Sequence, residues 1–209
     1  MKTGRGSYRM DLFNQHTEQN LLPEDGEVVY YGPILSQSSS YAYMQTLLEK
    51  INWKNDEAII LGKHVFTARK VAWYGDTTFP YSYSGTTKHA MKWTNELLEL
   101  KKIVEQISRT DFNSCLLNLY HNGKEGMAYH SDDEESLGKN TVIASLSLGA
   151  VRRFLFKHKK SGQTVPVILE NGSLLVMKGE TQTNWLHRLP PTTKVNTPRI
   201  NLTFRTFKT

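Results

Sequence analysis

The sequence predicts an α+β domain in which helices buttress a sheet sandwich or jelly roll. Two stretches of helical spacing occupy the first half of the chain, SSSYAYMQTLLEKINW and WTNELLELKKIVEQIS. From Asp111 onward the pattern changes to short apolar or alternating runs broken by Gly, Asn and Pro, which reads as strands and turns. The length of 209 residues fits one domain with a substantial core. Helices first and many strands afterwards is the order expected of that fold class.

In chain order, the first 25 residues are polar and aperiodic and read as a flexible arm, residues 1–25, with NLLPEDGE leading into a single domain over 26–209. The first helix opens on serine cap candidates and sets Tyr41, Met44, Leu47, Leu48 and Ile51 on one face. AIILGKH then runs from apolar residues into Gly-Lys, a composition that suits a hairpin finger or a core strand. WYGDTTFPYSYSG gathers Trp73, Tyr74, Phe79, Tyr81 and Tyr83, which fit either sheet packing or base stacking. In the second helix Leu97, Leu100, Val104 and Ile107 recur at spacings of three and four and define a core stripe. The β-rich half runs through SCLLNLYHNG, NTVIASLSLGAVRRFLFKH, TVPVILENGSLLVMKG and PRINLTFRTFK, and no internal repeat or low-complexity segment occurs.

Composition narrows the function classes. With 38% hydrophobic and 22% charged residues the chain lacks the signature of disorder. No apolar run approaches the roughly 18 residues of a membrane span, and MKTGRGSYRM lacks the apolar stretch of a signal peptide. A cytoplasmic monomer without a membrane partner is therefore expected, or a nuclear one in a eukaryote. Cys115, alone in its type and set in SCLLNLY, reads as a buried small residue. A net charge of +6 and a pI near 9.3 are compatible with an anionic partner such as nucleic acid.

Two strands have chemically different faces. In RINLTFR, Arg199, Asn201, Thr203 and Arg205 share one side while Ile200, Leu202 and Phe204 share the other. Alone, that strand suits a sheet edge with a solvated face. In CLLNLYH, Asn118 and Tyr120 project opposite Leu117 and Leu119. Together the polar faces suit a small anion pocket, in which a guanidinium fork meets a carboxylate and neutral donors surround it.

A metal is suggested by AYHSD. If the segment is extended, His130 and Asp132 point to the same side and can bind one ion, although a single His-x-Asp pair is a weak signal. His187 in TNWLHRLPP, twelve residues before Arg199, offers a third ligand. Two histidines and a carboxylate on one face of an octahedron leave three open positions, as non-haem Fe(II) oxygenases require. Zinc is the competing metal, but a zinc hydrolase would leave the paired arginines unexplained.

The ordered set Asn118-x-Tyr120, His130-x-Asp132, His187 and Arg199-x₅-Arg205 resembles the signature of the AlkB family of Fe(II)/2-oxoglutarate dioxygenases. The resemblance extends from about Leu22 to Phe207. It includes RKVAWYGDTTFPYSYSG, which is similar to the nucleotide-recognition segment of the duplex-DNA-repair branch. It implies a double-stranded β-helix, or jelly roll, with its core at about 111–209 and a nucleotide-recognition segment at about 56–90. It also implies iron ligation by His130, Asp132 and His187. Arg199, assisted by Tyr120, would hold the distal carboxylate of 2-oxoglutarate, with Asn118, Asn201 and Arg205 around its keto end.

The activity so implied couples decarboxylation of 2-oxoglutarate to succinate and CO₂ with hydroxylation of an alkyl carbon on a base nitrogen, after which formaldehyde leaves. Such a base must be flipped out of a duplex to be reached. By the same resemblance Tyr83 stacks on the flipped base, with Tyr81 and Glu134 making polar contacts. A carboxylate there suits cationic bases such as 1-methyladenine and 3-methylcytosine. Ile60 or Leu61 would fill the vacated stack. Phosphate contacts are expected from Arg69, Lys70, Arg152, Arg153 and the loop KHKKSGQ. Alkylated DNA is the expected partner, RNA is an alternative on the same scaffold, and a non-catalytic nucleic-acid-binding module is the reading from another class.

Overall fold

Both predicted helices form, and their caps set where they begin. The computed structural model describes residues 19–60, 63–77, 80–83 and 86–208, with the backbone alone for 57–60, 63–65, 80–83 and 86–88. Strand β1 (Glu27–Pro33) precedes helix α1 (Gln37–Lys50), whose N-cap Ser36 accepts from the Ser39 N–H. An antiparallel ribbon of β2 (Lys54–Ile60) and β3 (Lys63–Gly75) follows, then a hairpin of β4 (Pro80–Tyr83) and β5 (Thr86–His89), and the short β6 (Met91–Lys92). Helix α2 (Asn95–Ser108) starts at Thr94, which accepts from the Leu97 N–H, and ends on Arg109 in the left-handed region.

The β-rich half contains β7 (Ser114–Tyr120), β8 (Met127–His130), β9 (Ile143–Gly149), β10 (Arg152–His158), β11 (Thr164–Leu169) and β12 (Ser173–Lys178). A one-turn helix α3 (Thr181–Asn184) leads into β13 (Trp185–Leu189), and β14 (Arg199–Arg205) closes the fold. The larger sheet runs β1-β12-β9-β14-β7-β3-β2, with β6 parallel to β3. The smaller runs β11-β10-β13-β8. Among the described residues no helix is long and apolar enough to cross a membrane.

Strand alternation divides the molecule into layers. Leu117, Leu146, Leu148, Leu202 and Phe204 point from the larger sheet towards Leu97, Leu100 and Val104 of α2 and Met44 and Leu47 of α1. The intervening residues of β9 and β12, Ile143, Leu175 and Met177, point the other way and pack with Phe156, Val167, Leu169 and Trp185 of the smaller sheet. Each fully buried apolar side chain of this size contributes roughly 1.5–3 kcal/mol. Cys115 is fully buried, as expected, and burial pushes its thiol well above its ordinary pKa.

Several expectations need correction. The arm does not extend to residue 25: the Asn20 side chain accepts from the N–H groups of Leu22 and Val28, and Leu22 is buried in the inter-sheet core. Tyr41 is 65% exposed because the buried stripe of α1 centres on Ser40, Met44 and Leu47. The sheet core is not confined to 111–209, since β1 pairs with β12 and β3 with β7. For the same reason Trp73 and Tyr74 are sheet-packing residues; Trp73 donates to Ser114 Oγ and packs on Phe207. Finally, β14 is no edge strand, because β7 and β9 flank it, and Arg199, Thr203 and Arg205 on its polar face are buried.

Candidate active site

Register brings the three predicted ligands together. His130 is the last residue of β8 and lies directly opposite His187 of β13, which places their Nε2 atoms 3.1 Å apart. Asp132, two residues further on, brings Oδ1 to 3.8 Å from His130 Nε2. The three ligand atoms all lie within 4.8 Å of one another. Two ligands at right angles around an ion about 2.1 Å away are about 3 Å apart, so the imidazoles fit adjacent positions on one metal.

Protonation also suits a cation. His130 Nδ1 lies 2.9 Å from the Ala128 carbonyl, which can only accept, so Nδ1 carries a proton and Nε2 is the nitrogen that faces the site. Burial, and then His130, push the His187 pKa down to about 3 against the opposing pull of Asp132, and the ring stays neutral. Its plane is set by stacking on Phe154, 5.5 Å away. Burial works to raise the Asp132 pKa, but Arg205 and the two imidazoles prevail and hold it below the usual range. Arg205 Nη2 donates to Asp132 Oδ2 at 2.7 Å, leaving Oδ1 for the centre.

The polar face of β14 forms the adjoining floor. Cross-strand register aligns Tyr120, Arg199 and Gly149 in one row, then Asn118, Asn201 and Ser147 in the next. Arg199 is 2% exposed and donates through Nη2 to Ser147 Oγ and Asn201 Oδ1, both at 2.9 Å. Arg199 Nε and Asn118 Oδ1 are buried without a hydrogen-bond partner. The guanidinium lies 5.6 Å from the Tyr120 ring centroid, and those of Arg69 and Arg152 lie 6.0 Å from it. Burial lowers the Arg199 pKa to about 10, with Tyr120 opposing and Arg152 adding to the effect. A buried cation with an unused donor, beside a second cation, is suited to receive a carboxylate. The triad lines one cavity of about 750 Å³ with Asn118, Tyr120, Arg199 and Asn201 of the floor.

Residues 27–205 match the family model described as the 2OG-Fe(II) oxygenase superfamily. The chain belongs to the 2OG-Fe(II) oxygenase superfamily. Among its relatives, the alpha-ketoglutarate-dependent dioxygenase alkB homolog 3 of Bos taurus is 40% identical over 172 residues, 78% of this chain and 59% of that protein. The DNA oxidative demethylase ALKBH2 of Homo sapiens is 40% identical over 154 residues, 70% and 59% of the two chains. That of Arabidopsis thaliana is 30% identical over 212 residues, 88% and 67%. The chain thus spans about three fifths of the two mammalian relatives. A solved structure, OsALKBH1, has a TM-score of 0.57 at 18% identity and covers 86% of this chain and 97% of its own, a likeness of fold. Fe(II) and 2-oxoglutarate are the metal and cosubstrate for which the superfamily is named.

Within this oxygenase fold the other predicted residues are distributed unevenly. Glu134 lines the same cavity as the triad. Ile60 ends β2 opposite Lys63 at the tip of the β2/β3 ribbon, while Leu61 and Phe79 lie outside the described residues. Tyr81 and Tyr83 lie on β4, paired with Lys88 and Thr86. Arg69 and Arg152 are not surface phosphate contacts. Arg69 is buried in an ion pair with Asp56 and lines the cavity, and Arg152 donates at 2.9 Å to each of the Glu125 and Pro190 carbonyls. Arg153 is exposed and Lys70 partly so. Ser145 and Ser147 escaped notice as part of the floor, although their alternation with Leu146 and Leu148 in ASLSLG carried the same period-two signal as β14. Asp56 and Gln182 gave no comparable signal.

Proposed function

We propose that the protein is a DNA dealkylation enzyme that uses Fe(II), O₂ and 2-oxoglutarate to clear alkyl groups from base nitrogens, of the 1-methyladenine and 3-methylcytosine type. The observation that carries this reading is the shared cavity: a His-Asp-His cluster opens onto the same space as a buried arginine and asparagine with unused polar atoms. Relatives described as DNA oxidative demethylases support alkylated DNA as the substrate.

In this reading His130, Asp132 and His187 hold the metal, and Arg199 with Tyr120 takes the distal carboxylate of 2-oxoglutarate. Asn118, Asn201 and Arg205 surround its keto end. When bound, the iron supplies oxidation of the alkyl carbon, paired with conversion of 2-oxoglutarate to succinate and CO₂, and the resulting hemiaminal releases formaldehyde. The chain's own part is orientation and charge. Arg205 fixes which carboxylate oxygen of Asp132 faces the centre, and the Ala128 carbonyl fixes the His130 tautomer. Burial of Arg199 makes its attraction for a carboxylate stronger than at a surface. Glu134 gives the cavity wall an acid that favours a cationic ring, with Tyr81 and Tyr83 on the adjoining hairpin as the base-contacting pair.

The test is mass spectrometry of a 1-methyladenine oligonucleotide, single-stranded and duplex, incubated with protein, Fe(II), 2-oxoglutarate, ascorbate and air. Demethylation that requires both iron and 2-oxoglutarate is expected. Succinate formation with an unchanged oligonucleotide would replace this substrate with RNA or another lesion. Absence of succinate would favour a binding module.

A further inference from the structure

The two segments that carry the proposed ligands are joined by a side chain belonging to neither. Gln182 lies in α3, five residues before His187, and is 6% exposed. Its Oε1 accepts the Asp132 N–H at 2.9 Å across a sequence separation of 50 residues. An N–H can only donate, so the amide orientation is settled: Oε1 faces Asp132, and Nε2 faces Met177 Sδ at 3.4 Å. The Gln182 backbone carbonyl in turn accepts from Lys159 Nζ at 2.9 Å, and the same ammonium donates to Ser131 Oγ at 3.1 Å. Ser131 sits between His130 and Asp132, so the α3 turn and the His130–Asp132 segment are tied at adjacent residues.

We propose that Gln182, supported by Lys159, is a positioning residue that holds Asp132 in register with His187 and thereby sets the metal affinity of the centre. The proposal rests on the metal-centre reading above. His130 and His187 are held to each other by the β8/β13 ladder, but Asp132 lies beyond the end of β8. The carboxylate is located by Arg205 and its backbone by Gln182. Without the amide, the buried Asp132 N–H loses its acceptor and the segment is free to shift away from the two imidazoles. Changes in groups that orient metal ligands typically weaken metal binding or activity by about 10–100-fold.

The experiment is a calorimetric titration of Co(II) into the metal-free protein without 2-oxoglutarate, paired with the ligand-field spectrum of the Co(II) form and thermal unfolding of the metal-free form. Gln182→Leu is expected to bind Co(II) about tenfold or more weakly, with an altered spectrum. Gln182→Glu, which keeps an acceptor of the same reach, is expected to restore both. Gln182→Leu that folds and matches the wild-type affinity and spectrum overturns the proposal. Wild-type protein that binds no Co(II) overturns the metal-centre reading and this proposal with it, so the two failures are distinct. Should Gln182→Leu fail to fold, Lys159→Met decides. Its side chain is 30% exposed and empties no core, and a loss of about threefold or more supports the tie while unchanged affinity overturns it.

Discussion

Arg199 shows how a single side chain acquires function from its surroundings. On a solvated face it would be one of many surface cations. Between β7 and β9 it is buried, two of its hydrogen bonds go to neutral groups, and its Nε is unused. Arg199→Ala should raise the 2-oxoglutarate concentration needed for half-maximal succinate formation about 100-fold, in line with the few kcal/mol that truncating a buried charged partner removes. A wild-type titration curve would contradict the pocket. His187 predicts a pH effect. Its folded pKa of about 3 lies below an unfolded value of about 6.5, so between those limits the unfolded chain binds the extra proton and stability falls as pH falls. Asp132, whose folded pKa is depressed, adds its own loss only at lower pH. Metal-free protein should therefore lose about 2 kcal/mol at this site between pH 7 and pH 5, and His187→Gln should lack that share. Equal pH dependence of the two proteins in urea unfolding would refute the assignment.

At the scale of elements, legibility followed local periodicity. Both helices could be read because their apolar residues recur within a turn, and the faces of β7 and β14 because side chains alternate along a strand. Their neighbours could not be read, since β14 looks like an edge strand until β7 and β9 are placed on either side of it. The same limit hid Arg69 and Arg152, whose partners Asp56, Glu125 and Pro190 are 13 to 38 residues away and became visible only in three dimensions. The β2/β3 ribbon lies between these cases: AIILGKH allowed a hairpin, and the pairing of Ile60 with Lys63 makes one. If its tip fills the space left by a flipped base, Ile60→Ala combined with Leu61→Ala should slow repair of a duplex substrate about tenfold, while leaving a single-stranded one within about twofold. Equal losses on both would assign the tip to folding.

For the whole molecule, the +6 charge gains meaning once buried cations are separated from exposed ones. Arg69, Arg152, Arg199 and Arg205 are each 8% exposed or less and are committed to internal partners or the cavity. Among the described residues, exposed cations such as Arg153, Lys157 and Lys160 are the ones placed to displace counterions if the partner is a nucleic-acid backbone. Adjacent residues in the chain should therefore behave oppositely. If Arg153 meets a phosphate, Arg153→Ala should weaken duplex binding equally across sequences and reduce the slope of log affinity against log salt by about 1. Arg152→Ala should leave that slope unchanged and instead lower folding stability by about 2–3 kcal/mol, because charged bonds to the Glu125 and Pro190 carbonyls disappear. Fluorescence anisotropy over a salt series, read beside urea unfolding, separates the two. A reduced slope for Arg152→Ala without loss of stability would mean that this guanidinium leaves its carbonyls for the nucleic acid, and the division between buried and exposed charge would fail.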